Sequence, residues 1–285
     1  MKNFKAYYKL TKPGIIRGNI LSIIAGFFIG SGGNLNFAIL GFCILGSVLI
    51  IGSGCVFNNY IDRDIDKKMA RTKNRATVTN QISKKNILIF GLLLLIIGTI
   101  ILYAKTNILT MAVGLIGFIF YVFVYAYFKR KNEHGTLVGS ISGAVPPLAG
   151  YLAIKNELDI GALLVFLILV VWQMPHFYAI SIFRRKDYKK ASIPVLSITR
   201  GVKVTKKYII AYILLFIFIG LLPTFFGVTG LVFLFVMLLA GVYWLYIGLS
   251  NYSNENDVWA KKIFGSSLLV LLAFCFASVV NSVLF

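Results

Sequence analysis

The sequence predicts an all-α integral membrane fold with nine transmembrane helices. Three observations support this: an apolar composition, long uninterrupted apolar runs and an uneven distribution of basic residues. Of the 285 residues, 59% are hydrophobic and 13% are charged, whereas soluble domains average roughly 45–50% apolar and 25% charged residues. The mean hydropathy is +0.86. Because no linker or low-complexity segment interrupts the chain, we expect residues 1–285 to form a single polytopic domain.

The apolar runs define the predicted spans. A helix needs about 20 residues to cross the hydrocarbon core of a bilayer, and soluble core helices are rarely that long without a polar interruption. The predicted spans are 15–31, 36–58, 87–104, 108–128, 136–154, 160–183, 208–227, 231–249 and 262–284. The N-terminal run lacks a cleavage site, so we expect it to be the first span and not a removed signal.

The basic residues predict the orientation of these spans. Of the 29 Lys and Arg residues, 27 lie in the N-terminal stretch or in the long gaps that follow spans 2, 4, 6 and 8. Only Lys105 and Lys155 lie on the other side. Since Lys and Arg are retained in the cytoplasm, the N-terminus is predicted to be cytoplasmic and Phe285 external. The net charge of +20 is then explained by the retention of basic residues in the cytoplasm and by their attraction to anionic lipid. We therefore expect the lipid bilayer and not nucleic acid as partner.

An acidic segment follows span 2. Asn58, Asp62 and Asp66 are spaced four residues apart, and each such step along a helix turns only about 40° while rising about 6 Å. The three side chains are therefore predicted to share one helix face, with Asp64 on another. Carboxylates this close repel one another unless a cation lies between them. Carboxylate and amide oxygens suit Mg²⁺, which leaves coordination positions for phosphate oxygens.

Basic residues, including Arg71, Lys73 and Arg75, follow the acids directly. An anion held by a metal on one side and by Arg or Lys on the other is the outline of a diphosphate site. For each basic residue alone, a solvated loop that follows the positive-inside rule is an equal alternative. A calcium loop of the DxDxD type is excluded because it needs Gly at position 6 and Glu at position 12, where this chain has Lys67 and Lys73.

A second polar cluster lies at the end of span 6 and just beyond it. It contains one acid, Asp187, beside Lys186. His176 follows Pro175 inside the span, and a histidine in a membrane helix is a functional candidate by default. The alternative is a neutral histidine that packs against a neighbouring helix.

Three weaker features point towards a pocket or to helix packing. Lys12–Pro13 precedes span 1, where a snorkelling lysine at a helix start is an alternative to a binding role. The glycine repeat that begins at Gly135 favours close helix packing over catalysis. Pro146–Pro147 is expected to break span 5, and a broken helix is tolerated where it lines a cavity.

At these residues the chain resembles the intramembrane UbiA-type prenyltransferases, whose first motif is Asn-x-x-x-Asp-x-x-x-Asp. Within that family it is similar to the protohaem IX farnesyltransferases, also called haem O synthases. The matching strings are LTKPGI (10–15), SGCVFNNYIDRDIDKKMARTKNR (53–75), GTLVGSISGAVPPLAGY (135–151), WQMPHFYAISIFRRKDYKKASIPVL (172–196) and WAKKIFG (259–265). One departure concerns the second motif, which carries several aspartates in the quinone-type enzymes and only Asp187 here.

The resemblance implies a central cavity that opens to the cytoplasm and a reaction between two substrates. Farnesyl diphosphate would transfer its farnesyl group to the 2-vinyl group of haem B with Mg²⁺ as cofactor, and water addition would give haem O. The implied catalytic residues are Asn58, Asp62, Asp66 and Asp187, and the first three of these would also hold the metal. The implied substrate-binding residues are Lys12, Arg71, Lys73, Arg75, Lys186 and His176. The implied location is the cytoplasmic membrane, with haem A synthase or terminal oxidase assembly as partners.

Two other functions remain open from the sequence. One is a prenyltransferase that acts on a quinone precursor or another aromatic acceptor. The other is a transporter or a haem-insertion partner, for which charged residues are expected at mid-membrane. Here the charges gather at the helix ends, which argues against the second alternative.

Overall fold

The computed structural model describes residues 2–250, 252–253 and 255–284. Phe285, which was predicted to be external, falls outside these residues. All regular secondary structure in the described part of the chain is helical, which confirms the predicted fold class.

Within the described residues, nine helices are long and apolar enough to cross a membrane, as predicted. Spans 1 to 9 are Pro13–Ser31, Phe37–Ile61, Lys84–Lys105, Ile108–Lys131, Gly135–Lys155, Ile160–Phe183, Gly201–Phe225, Leu231–Ser250 and Asn256–Leu284. Consecutive spans run in opposite directions, so the stretch before span 1 and the loops after spans 2, 4, 6 and 8 lie at one end of the bundle. We call this the polar end.

The predicted boundaries were wrong mainly at the polar end. Span 7 begins at Gly201 and not at residue 208, and span 9 begins at Asn256 and not at residue 262. A run of apolar residues marks only the part of a helix that needs the hydrocarbon core, whereas the helix itself continues into the polar layer. Four shorter helices, Lys2–Leu10, Arg63–Lys68, Arg185–Lys190 and Leu196–Thr199, also lie at this end.

Span 5 is broken at Ala144, as the two prolines predict. Its halves are Gly135–Gly143 and Val145–Lys155, and prolines are tolerated in the first turn of the second half because those N–H groups would lack a helical partner. Gln173 of span 6 donates a hydrogen bond from Nε2 to the Ser140 carbonyl oxygen at 3.0 Å. A polar side chain of a neighbouring helix thus stabilises the backbone at the break.

The glycine repeat at the start of span 5 allows close packing against span 4. A Cβ atom added to Gly139 would lie 2.9 Å from Cδ2 of the Tyr125 ring, which is closer than real Cβ contacts permit. The packing interpretation of the repeat is therefore confirmed. Span 4 itself contains a π-helical segment, Phe120–Tyr125, and such segments are frequent at functional sites.

Candidate active site

A cavity of about 890 Å³ lies between spans 1, 2, 4, 5, 6 and 9 and reaches the loops of the polar end. This volume is at the upper end of the range for small-molecule sites, roughly 300–1,000 Å³. Its lining changes from charged residues at the polar end to aromatic and aliphatic residues deeper in the bundle. A molecule with an anionic head and an apolar body fits that gradient.

The acidic motif forms one wall at the polar end. Span 2 ends at Ile61 and the short helix Arg63–Lys68 follows, with Asp62 at the junction. The helical spacing continues through the junction because Asp62 N donates to Asn58 O at 2.9 Å and Asp66 N donates to Asp62 O at 2.8 Å. Asn58, Asp62 and Asp66 consequently all line the cavity. Asp62 is 2% exposed and Asp66 is 4% exposed, so both carboxylates need partners.

Each of these three side chains receives a hydrogen bond from a different basic residue. The pairs are Lys12 Nζ with Asn58 Oδ1 at 2.8 Å, Lys129 Nζ with Asp62 Oδ2 at 2.5 Å and Arg75 Nη1 with Asp66 Oδ2 at 2.6 Å. The three cations come from the N-terminal stretch, span 4 and the loop after span 2. Desolvation lowers the pKa of Lys12 to about 8. The protein thus supplies its own counter-charges to the motif.

Asp64 does not line the cavity, although its partner Arg130 also lies 3.4 Å from Asp62 Oδ1. Its side chain is 61% exposed, and both of its oxygens accept hydrogen bonds from Arg130 at 2.8 Å. These hydrogen bonds lower the pKa of Asp64 to about 2. The helical-face argument thus predicted correctly that Asp64 faces away from the cavity.

The motif fits a magnesium ion that is shared with a phosphate ligand. No group of three or more His, Cys, Asp or Glu side chains comes together in the described part of the chain, so the protein alone offers few ligands. Mg²⁺ typically binds through one or two carboxylates together with substrate phosphates. Asp62, Asp66 and the amide oxygen of Asn58 provide that donor set, and Arg71, Arg75 and Lys129 line the same part of the cavity.

Asp187 lies on the short helix Arg185–Lys190 and also lines the cavity. The loops that carry Asp187 and Asp66 are joined by an apolar cluster in which Ile65 and Met69 pack with Ile193. Nearby, burial raises the pKa of Tyr188, which lines the cavity too. The structure therefore brings the single acid of the second cluster to the same cavity as the first motif.

His176 lines the cavity on span 6. Its ring stacks on Trp172, with ring centroids 4.9 Å apart and planes inclined by 24°. The helix does not continue to Asp187, because span 6 ends at Phe183 and Arg184 separates it from the next helix. His176 and Asp187 therefore lie on two separate helices.

With this geometry in place, comparison with known proteins decides the family. Residues 19–280 match the UbiA prenyltransferase family. The chain belongs to this family.

Curated members with high identity cover nearly the whole chain. The chain is 48% identical over 269 residues to a protoheme IX farnesyltransferase of Photorhabdus laumondii, which covers 94% of this chain and 92% of that protein. It is 46% identical over 266 residues to a protoheme IX farnesyltransferase of Protochlamydia amoebophila, with 93% and 94% coverage. It is 48% identical over 273 residues to protoheme IX farnesyltransferase 2 of Pseudomonas fluorescens, with 95% and 92% coverage.

Solved structures of UbiA-family proteins share the fold. A digeranylgeranylglyceryl phosphate synthase superposes with a TM-score of 0.80 at 19% identity and full coverage of both chains. A UbiA homologue from Archaeoglobus fulgidus bound to GPP and Mg²⁺ superposes with a TM-score of 0.70 at 14% identity, with 96% of this chain and 99% of that chain covered. At these identities the similarity shows the fold alone.

In this UbiA-family chain, two of the predicted binding residues lie apart from the others. Lys73 and Lys186 are exposed and are not among the residues that line the cavity, whereas Lys12, Arg71 and Arg75 line it. The sequence placed Lys73 between Arg71 and Arg75, and nothing in a run of basic residues shows which of them turn inwards. We therefore leave Lys73 and Lys186 out of the proposed site.

Several cavity residues of the UbiA-family chain were not predicted. Lys129 was counted only as a topology marker, although it pairs with Asp62. Tyr121 and Tyr125 line the cavity with stacked rings, whose centroids are 5.7 Å apart. The spacing of Tyr121, Tyr125 and Lys129 by four residues repeats the spacing of the acidic motif, and this signal in the sequence could have identified them.

Glu133 is a further acid that sequence reasoning missed. It lines the cavity, pairs with Arg200 at 2.6 Å and accepts a hydrogen bond from Thr199. Hydrogen bonds, first from Thr199 and then from Arg200, lower the pKa of Glu133. This contact ties the loop after span 4 to the loop after span 6 at the edge of the cavity.

Proposed function

We propose that the chain transfers the farnesyl group of farnesyl diphosphate to the 2-vinyl group of protohaem IX (haem B), with addition of water, to give haem O and diphosphate. The proposal is supported by curated relatives at 46–48% identity that are named protoheme IX farnesyltransferases. The structural observation that carries it is a single cavity lined both by the acidic motif and its cations and by His176. Two chemically different substrates can therefore meet in one space.

At the polar end, the site suits the departure of diphosphate. When the carbon–oxygen bond of farnesyl diphosphate breaks, its electron pair leaves with the diphosphate. Lys12, Arg71, Arg75 and Lys129 line the cavity there and are placed to stabilise that charge. Mg²⁺ bound at Asn58, Asp62 and Asp66 would act as a Lewis acid on the same oxygens.

Deeper in the bundle, the cavity suits the acceptor. The allylic cation accepts the π electrons of the vinyl group, which forms the new carbon–carbon bond. Water then adds to the resulting cation beside the porphyrin and loses a proton. The rings of Tyr121 and Phe118 line this path and offer π faces to the first cation. An apolar lining keeps water away until the carbon–carbon bond has formed.

We further propose that the protein resides in the cytoplasmic membrane with its polar end in the cytoplasm. This placement is supported by the basic residues, 27 of 29 of which lie on that side, and it would supply the site with farnesyl diphosphate from the cytoplasm. Haem A synthase or a terminal oxidase assembly would then receive the product. Reporter fusions after Asn107 and after Gly230 should both report an external location, and a cytoplasmic signal from either would contradict the proposal.

The activity is tested by offering both acceptor classes to the same membranes. Membranes that contain the protein are incubated with farnesyl diphosphate and Mg²⁺, with haem B and an aromatic acid acceptor present together, and the products are analysed by mass. We expect a haem with added farnesyl and water, and no such product without Mg²⁺. Prenylation of the aromatic acid with unchanged haem would overturn the proposal in favour of the quinone-type alternative.

A further inference from the structure

One serine of span 9 contacts two aromatic side chains of span 6 that line the cavity. Trp172 donates from Nε1 to the Ser267 carbonyl oxygen at 2.9 Å, and His176 Nδ1 lies 2.7 Å from Ser267 Oγ. Trp172 and His176 line the cavity, whereas Ser267 is not among the lining residues and is 0% exposed. Ser267 therefore lies behind the rings, where a bound molecule does not reach it.

The contacts of Ser267 favour one tautomer of His176. Ser267 Oγ donates to the Phe264 carbonyl oxygen of its own helix at 2.6 Å. A hydroxyl group has one proton, so towards His176 the same oxygen acts as an acceptor. Both contacts are hydrogen bonds at the same time when His176 Nδ1 is the N–H donor, and in that neutral tautomer the lone pair lies on Nε2.

The ring of His176 is also fixed in orientation. It stacks on Trp172 on one side and contacts the ring of Phe264, with centroids 4.8 Å apart and planes inclined by 37°. Because Nδ1 is engaged with Ser267, Nε2 is the nitrogen left for a molecule in the cavity. An unprotonated Nε2 can accept a metal or a proton, but it cannot donate a hydrogen bond to a carboxylate. In this tautomer His176 therefore suits the haem iron better than a haem propionate.

We propose that Ser267 is a positioning residue that presents Nε2 of His176 as the axial ligand of the iron in the porphyrin acceptor. This proposal rests on the proposed function. Histidine is a common axial ligand of haem iron, and a ligating histidine almost always donates its other N–H to a fixed acceptor, which sets the tautomer and the ring orientation. Ser267 supplies that acceptor here.

The adjacent serine offers a matched control. Ser266 is buried at 4% exposure and donates from Oγ to Lys262 O at 2.7 Å within its own helix, without a bond to either ring. Ser266→Ala and Ser267→Ala thus each remove one buried hydroxyl group, from adjacent positions of the same helix. Ser267→Thr retains a hydroxyl group and serves as the conservative variant.

The test compares binding of haem B with binding of metal-free protoporphyrin IX by absorbance titration of the purified protein. In Ser267→Ala we expect haem affinity roughly 10–100-fold lower and a changed haem spectrum, with protoporphyrin affinity unchanged. His176→Ala should show a larger change of the same kind. Ser266→Ala should match the unsubstituted protein, and Ser267→Thr should recover most of the affinity. Binding of farnesyl diphosphate with Mg²⁺ should be equal in all variants, which shows that they are folded.

Two outcomes would overturn the proposed role of Ser267 and leave the proposed function intact. In the first, Ser267→Ala leaves both the affinity and the spectrum of bound haem unchanged although the unsubstituted protein makes haem O. In the second, protoporphyrin affinity falls as much as haem affinity, which would make Ser267 a packing residue and not one that acts through the iron. If the unsubstituted protein neither binds nor farnesylates haem, the proposed function fails as well, so the product assay separates the two failures.

Discussion

The loops after span 2 and span 6 occupy corresponding positions at the polar end, yet they differ in charge and in pairing. The first loop contributes Asp62 and Asp66, which are almost completely buried and each paired with a cation at 2.6 Å or less. The second contributes only Asp187, which is half-buried and has no ion pair in the described part of the chain.

This difference indicates a division of work between the two loops. Two buried carboxylates one helical turn apart can hold a divalent cation, whereas one carboxylate among Arg184, Arg185 and Lys186 leaves the second loop with a net positive charge. We infer that the first loop binds the metal and that the second mainly attracts and orients the diphosphate. The predictions below test this asymmetry, starting with the largest expected effect.

Removal of either buried carboxylate should abolish the reaction. We expect Asp62→Asn and Asp66→Asn to lower the rate of haem O formation by about 100-fold or more, as loss of a preorganised electrostatic group typically does. The measurement is the initial rate in membranes with saturating Mg²⁺. Asp64→Asn is the matched control and should retain activity within about threefold, because an exposed ion pair contributes at most about 1 kcal/mol. Equal losses at all three positions would contradict the shared-face arrangement.

Asp187→Asn should have a smaller effect, and one on the use of farnesyl diphosphate instead of on Mg²⁺ binding. If the second loop attracts diphosphate through its net positive charge, the variant should raise kcat/KM for farnesyl diphosphate by about fivefold, equivalent to about 1 kcal/mol, because the loop loses its only negative charge. The Mg²⁺ concentration that gives half-maximal rate should stay the same. Initial rates measured against farnesyl diphosphate and against Mg²⁺ in separate series decide this. A loss as large as that of Asp62→Asn, with weaker Mg²⁺ dependence, would make the two loops equivalent metal sites.

Lys129→Gln should have opposite effects on metal binding and on anion binding. Lys129 pairs with Asp62, so its removal should tighten the binding of Mg²⁺ alone by about fivefold, because an opposing positive charge is lost. The same change should weaken binding of inorganic diphosphate in the presence of Mg²⁺ by about fivefold. Calorimetric titration of the purified protein with each ligand tests both signs. Changes in the same direction for both ligands would contradict opposite roles of Lys129 in metal binding and in diphosphate binding.

The smallest effects are expected at the two basic residues that lie outside the cavity. Lys73→Gln and Lys186→Gln should change the rate and the KM for farnesyl diphosphate by less than about twofold, since surface substitutions usually alter free energies by within 0.5 kcal/mol. Arg75→Gln, two residues after Lys73, serves as the comparison and should show a clear loss because Arg75 pairs with Asp66. A loss at Lys73 as large as at Arg75 would mean that the loop closes further over bound substrate.

Much of the fold follows from local sequence. Inside a bilayer every backbone N–H and C=O group must find a partner within the protein, so a run of about 20 apolar residues has little choice but to form a helix. The break of span 5 at Pro146–Pro147 is local for the same reason, since proline lacks the N–H group. The position of Asn58, Asp62 and Asp66 on one face follows from helical spacing alone.

The sequence by itself therefore determined the spans, the broken helix and the acidic motif, because each depends on neighbouring residues. Only the tertiary structure decided which partners meet. Lys129 reaches Asp62 across 67 positions of the chain, and Ser267 reaches His176 across 91. The hydropathy of a segment predicts that it forms a helix but not which face of that helix packs against the protein. Lipid and protein interior are similarly apolar, so side-chain fit selects the contacts. The counter-charges of the motif and the orientation of His176 depend on that fit.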